Sequence, residues 1–548
     1  MNIKVIVNND QIEVDSGTTL FELSKKFSNN YKYEIILAKV DGIYKELTDT
    51  ITKGCKIEFF DLTDRGANAI YLNGLIYLTL YSFKRLFGQS TNIEVRHSLD
   101  KGLYIEPSIK LSKEDIEKLE SVMQDVVKEG LPIQRLTASR LDAIDYFDKV
   151  NYKTKRDIMK YNTSTYITLY KLDNLYDYFY SLMPINTSVL SHFKLTYLNE
   201  SGFVLRFPTI YMDDEIKEFE YRRNIFNLHN ESRSWAKRLE LVNAVDLNKK
   251  VSSGEIDEII RMDEIMKNTK LMELANNIIS KENARIVLLA GPSSTGKTTT
   301  TNKLTLCLKS LGKKPVMLSM DDFFKERGET PKDSEGNYDF ECLEAVDLNL
   351  FEETIKKLLN NEEVLLPTFN FVLGKKEYNN KIKLDNDTIL LVEGIHALNP
   401  KVLENISKEN KITIYLSALN ELSVDDHVRI STTDNRLLRR IIRDNRTRGR
   451  KVEDTLASWH KVREGEEKYI FPYQDNADYS FNTAMVYELG VLKTFVEPLL
   501  YSVEPNSPYY NEAVRLINFL RLFLPISSES IPDDSIIREF IGGGCFKI

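Results

Sequence analysis

Short runs of alternating hydrophobic and polar residues open the chain. The segments KVIV and QIEV alternate around residues 8–10, which predicts two strands joined by a tight hairpin. A helical repeat follows in TTLFELSKKF, with Ser16 or Thr18 as its N-cap, and IILAKVDG and CKIEFF supply later strands. These elements predict a β-grasp domain over residues 1–62.

The pattern becomes mixed and rich in tyrosine over residues 68–245, where an α+β domain is expected. Its clearest element is an amphipathic helix, LSKEDIEKLESVMQDVVKEG. Ser112 is placed to cap this helix, Asp115 lies in its first turn, and Gly130 ends it. A charged stretch over 250–282 then predicts a long linking helix.

Short apolar runs alternate with helical segments in the C-terminal half. RIVLLA, KPVMLSM, DTILLVEG, KITIYLS and ADYSFNT read as strands, with helices after RIVLLA and KPVMLSM and a long basic helix after KITIYLS. Strands with helical crossovers predict a doubly wound parallel sheet of the α/β class. We expect this domain to cover residues 283–495, with a helical tail over 496–548.

Composition narrows the class of protein. A chain of 548 residues with 42% hydrophobic and 28% charged residues is expected to fold into several globular domains. The net charge of −8 argues against a surface built throughout for nucleic acid. The four cysteines form no CxxC pair, and neither a signal peptide nor an apolar membrane segment is evident. These features predict a cytoplasmic protein without a membrane partner.

The strand RIVLLA leads directly into GPSSTGKTT, which has the spacing of a phosphate-binding P-loop. Backbone N–H groups of such a loop cradle phosphates, Lys297 reaches the β and γ phosphates, and the Thr298 hydroxyl binds Mg²⁺. We therefore predict a site for ATP and Mg²⁺. The predicted triphosphate contacts are Gly291, Ser293, Ser294, Thr295, Gly296, Lys297, Thr298 and Thr299.

Two carboxylates follow later strands of the same predicted sheet. Asp321 comes after KPVMLSM, and Glu393 ends DTILLVEG. Ligands of open α/β sheets bind at this end of the strands, so Asp321 is a candidate to accept the proton of a substrate hydroxyl. Glu393 is a candidate magnesium ligand, while a purely structural N-cap is the alternative for Asp321.

Residues 436–451, RLLRRIIRDNRTRGRK, hold many basic residues and a single acid. Arg436, Arg440 and Arg443 share one helical face. A solvated helix face and an RNA-binding stripe are both open interpretations. Beside a P-loop, the run also fits a lid that closes arginines over a phosphate.

Several of these motifs together resemble the uridine kinase and phosphoribulokinase family, over about 283–490. The similar segments are GPSSTGKTT, LSMDDFF, YDFECLEAVD, LPTFNFVLGKK, LLVEGIHAL, DNRLLRRIIRDNRTRGR and VREGEEKYIFPYQDNAD. The resemblance implies that Asp321 is the catalytic base and Glu393 the magnesium-site acid. It also implies that Arg440, Arg443 and Arg448 are lid arginines that contact phosphate or substrate.

The resemblance implies an acceptor pocket as well. Glu341, or alternatively Asp339, falls near the acid that binds ribose hydroxyls, and Phe369 and Phe371 fall where aromatic residues flank the base.

The family pattern changes at two further positions. Uridine kinases carry a histidine and a glutamine where this chain has Gly374 and Ser458. The acceptor is therefore left open between uridine, cytidine, another nucleoside and another sugar-like alcohol.

The N-terminal half resembles the N-terminal region of threonyl-tRNA synthetase, a TGS domain followed by the second additional domain. YSFKRLFG, KLSKEDIEKLESVMQDVVKEGLPIQR and NTSVLSHFKL carry this likeness. Asn73 and Tyr77 stand at the positions of the HxxxH editing motif, and no cysteine lies between Cys55 and Cys307. His192 is expected to be a structural or surface histidine. The half is therefore expected to bind or regulate, without metal-dependent editing.

Two hypotheses follow. The first is an ATP-dependent nucleoside kinase that phosphorylates a 5′-hydroxyl, assembled as a homo-oligomer if the family resemblance extends that far. The second is an RNA-associated regulatory NTPase whose synthetase-like half binds tRNA. Formation of a phosphorylated nucleoside distinguishes the two.

Overall fold

A computed structural model describes residues 2–210, 216–333, 336–370, 373–385, 387–420 and 422–547. The first strands form a five-stranded sheet in the order β2-β1-β5-β3-β4, with one short helix. The predicted hairpin is present, and Asn8 and Asn9 adopt the positive φ values that its turn requires. The helix is capped by Thr19 instead of Ser16 or Thr18. The elements are β1 (Asn2–Val7), β2 (Asp10–Asp15), α1 (Leu20–Ser24), β3 (Leu37–Val40), β4 (Ile43–Glu46) and β5 (Lys56–Phe60).

The next region packs helices against two antiparallel sheets, ordered β11-β12-β7-β6 and β10-β9-β8. The predicted amphipathic helix is confirmed, because Ser112 and Asp115 form a capping box and Gly130 ends the helix with φ of 64°. The elements are α2 (Arg65–Phe87), β6 (Ile93–Leu99), β7 (Gly102–Pro107), α3 (Lys113–Glu129), β8 (Ile133–Ser139), α4 (Arg140–Lys149), α5 (Lys153–Ile158), β9 (Tyr166–Leu172), β10 (Leu175–Asp177), β11 (Lys194–Asn199) and β12 (Gly202–Arg206).

Three helices join the two halves: α6 (Arg223–Arg238), α7 (Ala244–Ser252) and α8 (Ile256–Ser280). A buried ionic cluster also links them. The Lys155 ammonium lies 2.7 Å from Asp177 and 3.3 Å from Asp425, and the His427 ring lies 2.7 Å from Asp177. Although burial opposes ionisation, Lys155 and His427 hold the pKa of Asp177 at about 2. The two halves therefore share a charged, solvent-free contact.

The C-terminal half is built on the predicted doubly wound sheet. Its strands are all parallel in the order β14-β17-β13-β18-β19. The strands and helices around this sheet are β13 (Ile286–Ala290), α9 (Lys297–Ser310), β14 (Lys314–Ser319), α10 (Leu348–Leu359), β15 (Val364–Asn370), β16 (Lys375–Ile382), β17 (Thr388–Glu393), β18 (Lys411–Ser417), α11 (Thr432–Arg448), α12 (Val452–Tyr469) and β19 (Tyr479–Asn482). Because β13 lies at the centre, the loop after it opens at the switch point of the sheet.

Side chains of β13 alternate between two cores. Ile286 and Leu288 enter one core, and Val287 and Leu289 enter the other. The strands β15 and β16 form a separate antiparallel hairpin. The chain then continues through α13 (Glu488–Leu500), α14 (Tyr510–Leu520) and α15 (Arg538–Ile541). Within the described residues, no helix is both long and apolar enough to cross a membrane.

Candidate active site

The loop between β13 and α9 turns tightly enough to point its backbone inward. Ser294 and Gly296 have φ values of 61° and 79°, and the Thr295 hydroxyl donates to the Pro292 carbonyl at 2.8 Å. A Cβ on Gly291 would lie 2.5 Å from the Leu416 carbonyl oxygen, so a side chain there has no room. A tight loop that leads directly into a helix N-terminus is suited to phosphate.

Lys297 lies across this loop. Its ammonium donates to the carbonyls of Gly291 at 2.9 Å and Pro292 at 3.3 Å. Burial lowers the pKa of Lys297, and the nearby charges of Glu393 and Asp321 oppose that shift. Lys297 is therefore a partly enclosed cation beside two acids.

Glu393 meets Thr298 at the carboxyl end of β17. The Thr298 hydroxyl donates to the Glu393 carboxylate at 3.2 Å. Burial raises the pKa of Glu393 to about 7, with Lys297 acting in the opposite direction. A hydroxyl and a carboxylate oxygen in contact are ligand types that Mg²⁺ prefers, so these residues fit that ion.

Asp321 lies in a 3₁₀ turn directly after β14. The residue is exposed to solvent. Desolvation by the surrounding residues raises the pKa of Asp321, whereas the charge of Lys297 lowers it. The charge of Asp321 also acts on Arg448. The candidate base, Lys297, Glu393 and the end of the basic helix therefore share one cleft.

One buried acid lies next to three arginines of α11. Asp444 is completely buried and lies 3.3 Å from Arg440, 3.6 Å from Arg443 and 3.1 Å from Arg448. Arg440 also donates to the Ser293 hydroxyl at 2.8 Å. The basic run is thus a packed helix over the phosphate loop rather than a solvated face.

Arg436 and Glu466 form a buried ion pair beneath the same loop. Arg436 donates to the Ser293 carbonyl at 2.9 Å, and Glu466 accepts from the Ser293 N–H at 3.2 Å. Sequence reasoning missed Glu466 and the role of Asp444. Both carried a signal, since Glu466 lies in the VREGEEKY motif and Asp444 is the acid within the basic run.

Glu341 packs against Gly465 of α12. Burial raises the pKa of Glu341 to about 7, while Arg440 opposes the shift and Glu466 adds to it. Its alternative, Asp339, instead accepts the Glu341 N–H at 3.0 Å and so shapes the turn. This contact favours Glu341 as the residue that faces the cleft.

Of the two aromatic residues expected to flank the base, the structure describes Phe369. Phe369 is buried, with its ring centroid 5.9 Å from that of Phe324 and 6.4 Å from that of Phe340, so it forms a wall. Its N–H donates to Asp322 at 3.2 Å. Phe371 lies outside the described residues.

Gly374 and Ser458 both have local structural roles. Gly374 adopts φ of 66°, and a Cβ there would lie 2.8 Å from the Arg327 guanidinium. The Ser458 hydroxyl donates to the Thr455 carbonyl at 3.1 Å within α12. Neither contact by itself selects a base.

The side chains at the two positions of the editing motif make hydrogen bonds within the N-terminal half. Asn73 donates to the Ser181 hydroxyl at 2.6 Å, and the Tyr77 hydroxyl donates to the Leu175 carbonyl at the same distance. His192 is exposed, and its backbone N–H and carbonyl are both hydrogen-bonded to the Tyr71 hydroxyl. Among the described residues, no group of three or more His, Cys, Asp or Glu side chains could hold a metal ion.

A P-loop kinase combines the features seen here: a parallel sheet, a phosphate loop, and a basic helix over that loop, which is α11. Residues 286–488 match the phosphoribulokinase / uridine kinase family. A uridine kinase from Staphylococcus haemolyticus is 30% identical over 200 residues, which cover 36% of this chain and 86% of that protein. The chain belongs to this family, and its C-terminal half is that of a phosphotransferase.

Relatives of another kind match the N-terminal region. A threonine–tRNA ligase from Finegoldia magna is 27% identical over 168 residues, 30% of this chain and 26% of that protein. A second ligase, from Carboxydothermus hydrogenoformans, is 27% identical over 198 residues, 36% of this chain and 31% of that protein. The chain thus spans about a quarter to a third of the length of these ligases.

One solved structure of a similar chain is D-glycerate 3-kinase from Cryptococcus neoformans. It is 13% identical, covers 36% of this chain and 87% of its own, and has a TM-score of 0.28.

Proposed function

We propose that this protein is an ATP-dependent nucleoside kinase that transfers the γ-phosphoryl group to a 5′-hydroxyl, with uridine or cytidine as acceptor. One observation carries the proposal. Lys297, Asp321 and the Thr298–Glu393 pair lie at one end of the sheet and act on one another electrostatically. A cation, a base and a magnesium-type oxygen pair in one cleft are the parts that phosphoryl transfer needs.

The loop supplies the donor site. Its inward N–H groups bind the triphosphate, and Lys297 leaves its carbonyl partners to reach the β and γ phosphates. Thr298 and Glu393 would hold Mg²⁺, which when bound neutralises phosphate charge. Since Glu393 has a pKa of about 7, a divalent cation beside it favours the ionised carboxylate that coordination requires.

Asp321 supplies the proton acceptor. Its accessible carboxylate orients the acceptor hydroxyl and takes its proton as the oxygen attacks phosphorus. Arg440, Arg443 and Arg448 stabilise charge on the transferring group, since Asp444 holds all three on one side of the cleft. Closure of this arginine helix also excludes water, which would otherwise compete with the acceptor.

The acceptor site supports a polyhydroxyl substrate. Glu341 faces Arg440 and the cleft, where its carboxylate can accept hydrogen bonds from vicinal hydroxyls such as those of ribose. Phe369 forms an apolar wall with Phe324 and Phe340 on the same side. An apolar wall next to an acid suits a nucleoside better than a small charged sugar.

The test is Asp321→Asn, which keeps the size of the side chain but removes the base. We expect turnover to fall by about a hundredfold or more while ATP binding persists, since general base catalysis contributes on that scale. Asp322→Asn is the matched control, because Asp322 is adjacent but bonds the Phe369 N–H; its loss should be far smaller. Unchanged turnover in Asp321→Asn rejects the assignment.

The similarity to threonine–tRNA ligases motivates an RNA-dependent NTPase as the competing function. That function predicts ATP hydrolysis that responds to tRNA and yields no phosphorylated nucleoside. The kinase predicts the reverse, so one assay for both products separates them.

A further inference from the structure

The C-terminal segment 531–546 lies beyond the family match and packs on the phosphate loop and its helix. A Cβ on Gly296 would lie 2.6 Å from the Ile536 side chain, so the segment touches the loop directly. Lys303 of α9 donates to the Asp534 carboxylate at 2.5 Å and to its carbonyl at 3.0 Å. The segment is therefore anchored to α9 one to two turns from the loop.

Glu539 of this segment places a carboxylate at the start of α9. Its Oε2 atom accepts the Thr299 N–H at 3.2 Å, and the residue is only 4% exposed. The N-terminus of a helix attracts anions through its unpaired N–H groups and dipole. Thr299 directly follows Lys297 and Thr298, so its N–H belongs to the set that cradles phosphates in a P-loop.

The basic helix α11 holds the same segment. Arg446 donates to the carbonyls of Glu539 at 2.8 Å and Phe540 at 3.1 Å. Burial lowers the pKa of Arg443, and the negative charge of Glu539 opposes that shift more strongly than the charge of Asp444 does. Glu539 also acts on Lys297. The Glu539 carboxylate thus accepts the Thr299 N–H and acts electrostatically on Lys297 and Arg443. A bound triphosphate would use the same N–H group and the same two cations.

We propose that the C-terminal segment is an internal competitor of the donor nucleotide, with the Glu539 carboxylate standing in for a phosphate group. A triphosphate and this carboxylate cannot share the Thr299 N–H, and their like charges repel each other at that distance. Nucleotide binding therefore displaces Glu539, and whatever holds the segment in place lowers the affinity for the donor. The inference rests on the proposed function, since it names a regulation of the same site.

The experiment measures ATP affinity in the presence of Mg²⁺ by calorimetry on the full chain. Glu539→Gln removes the charge and keeps the size of the side chain, and Glu539→Ala also removes the acceptor. The matched control is Glu529→Gln, an exposed acid in the same C-terminal region. Thermal melting verifies that every variant is folded.

We expect both Glu539 variants to bind ATP about three- to tenfold more tightly than the wild type, the range set by one charge at a helix N-terminus. Glu529→Gln should bind like the wild type. Equal affinity, or weaker binding by folded Glu539 variants, overturns the competitor. If the wild type and all variants fail to bind ATP, the proposed kinase function fails as well, which distinguishes the two results.

Discussion

Asp444 offers the sharpest test of how the arginine helix is held together. Asp444→Asn keeps the shape of the side chain but leaves Arg440, Arg443 and Arg448 without their shared counter-charge. Burial already lowers the pKa of each of these arginines, so their charged forms depend on nearby acids. Removing one partner of a buried ion pair costs about 3–5 kcal/mol.

The lower end of that range applies here, because Arg448 is 49% exposed and its pair with Asp444 contributes little. A loss of about 3 kcal/mol lowers the Tm of a domain of some 200 residues by about 6–12 °C. Differential scanning calorimetry measures the shift, with the exposed Asp387→Asn as control. Saturating ATP should restore part of the loss, since phosphate oxygens replace the missing charge. A Tm within 2 °C of the wild type would refute this reasoning.

Two further predictions follow from buried charges. The pKa of Glu393 is raised from 4.5 to about 7, so the folded protein keeps a proton that the unfolded chain loses between those pH values. The free energy of unfolding should therefore fall as pH rises through that window. Melting curves of Glu393→Gln should show a weaker pH dependence than those of the wild type. An unchanged pH dependence would reject the raised pKa of Glu393. Lys155→Met leaves Asp177 and Asp425 buried without the lysine that pairs with both, so we expect the free energy of unfolding to fall by about 3–5 kcal/mol. In calorimetry, the two halves should then unfold in separate transitions. A single transition at the wild-type Tm contradicts this prediction.

Local patterns predicted where the GPSSTGKTT motif and the two carboxylates lie in the fold. The motif GPSSTGKTT sits between β13 and α9, as its flanking apolar run indicated. The doubly wound sheet followed from strands separated by helices, and this topology brings Asp321 and Glu393 to the same edge. These features are local or depend on strand direction alone, so a single sequence encodes them clearly.

Contacts between segments far apart in the sequence could not be predicted from local patterns. Glu466 supports Ser293 across 173 residues, and Glu539 reaches Thr299 across 240. Nothing near Glu539 in the sequence marks it, since the tail pattern predicts only helices. The same holds for Asp425 and His427, whose buried partners Lys155 and Asp177 lie in the other half of the chain.

The most direct test of the kinase function follows phosphorus through the reaction. Purified protein, ATP and Mg²⁺ are incubated with uridine, cytidine, other nucleosides and small polyols, and products are identified by ³¹P NMR. The proposed function predicts one equivalent of a nucleoside 5′-monophosphate for each ADP formed, with uridine or cytidine as acceptor. ADP accompanied only by inorganic phosphate, or a polyol phosphate in place of a nucleotide, would contradict it.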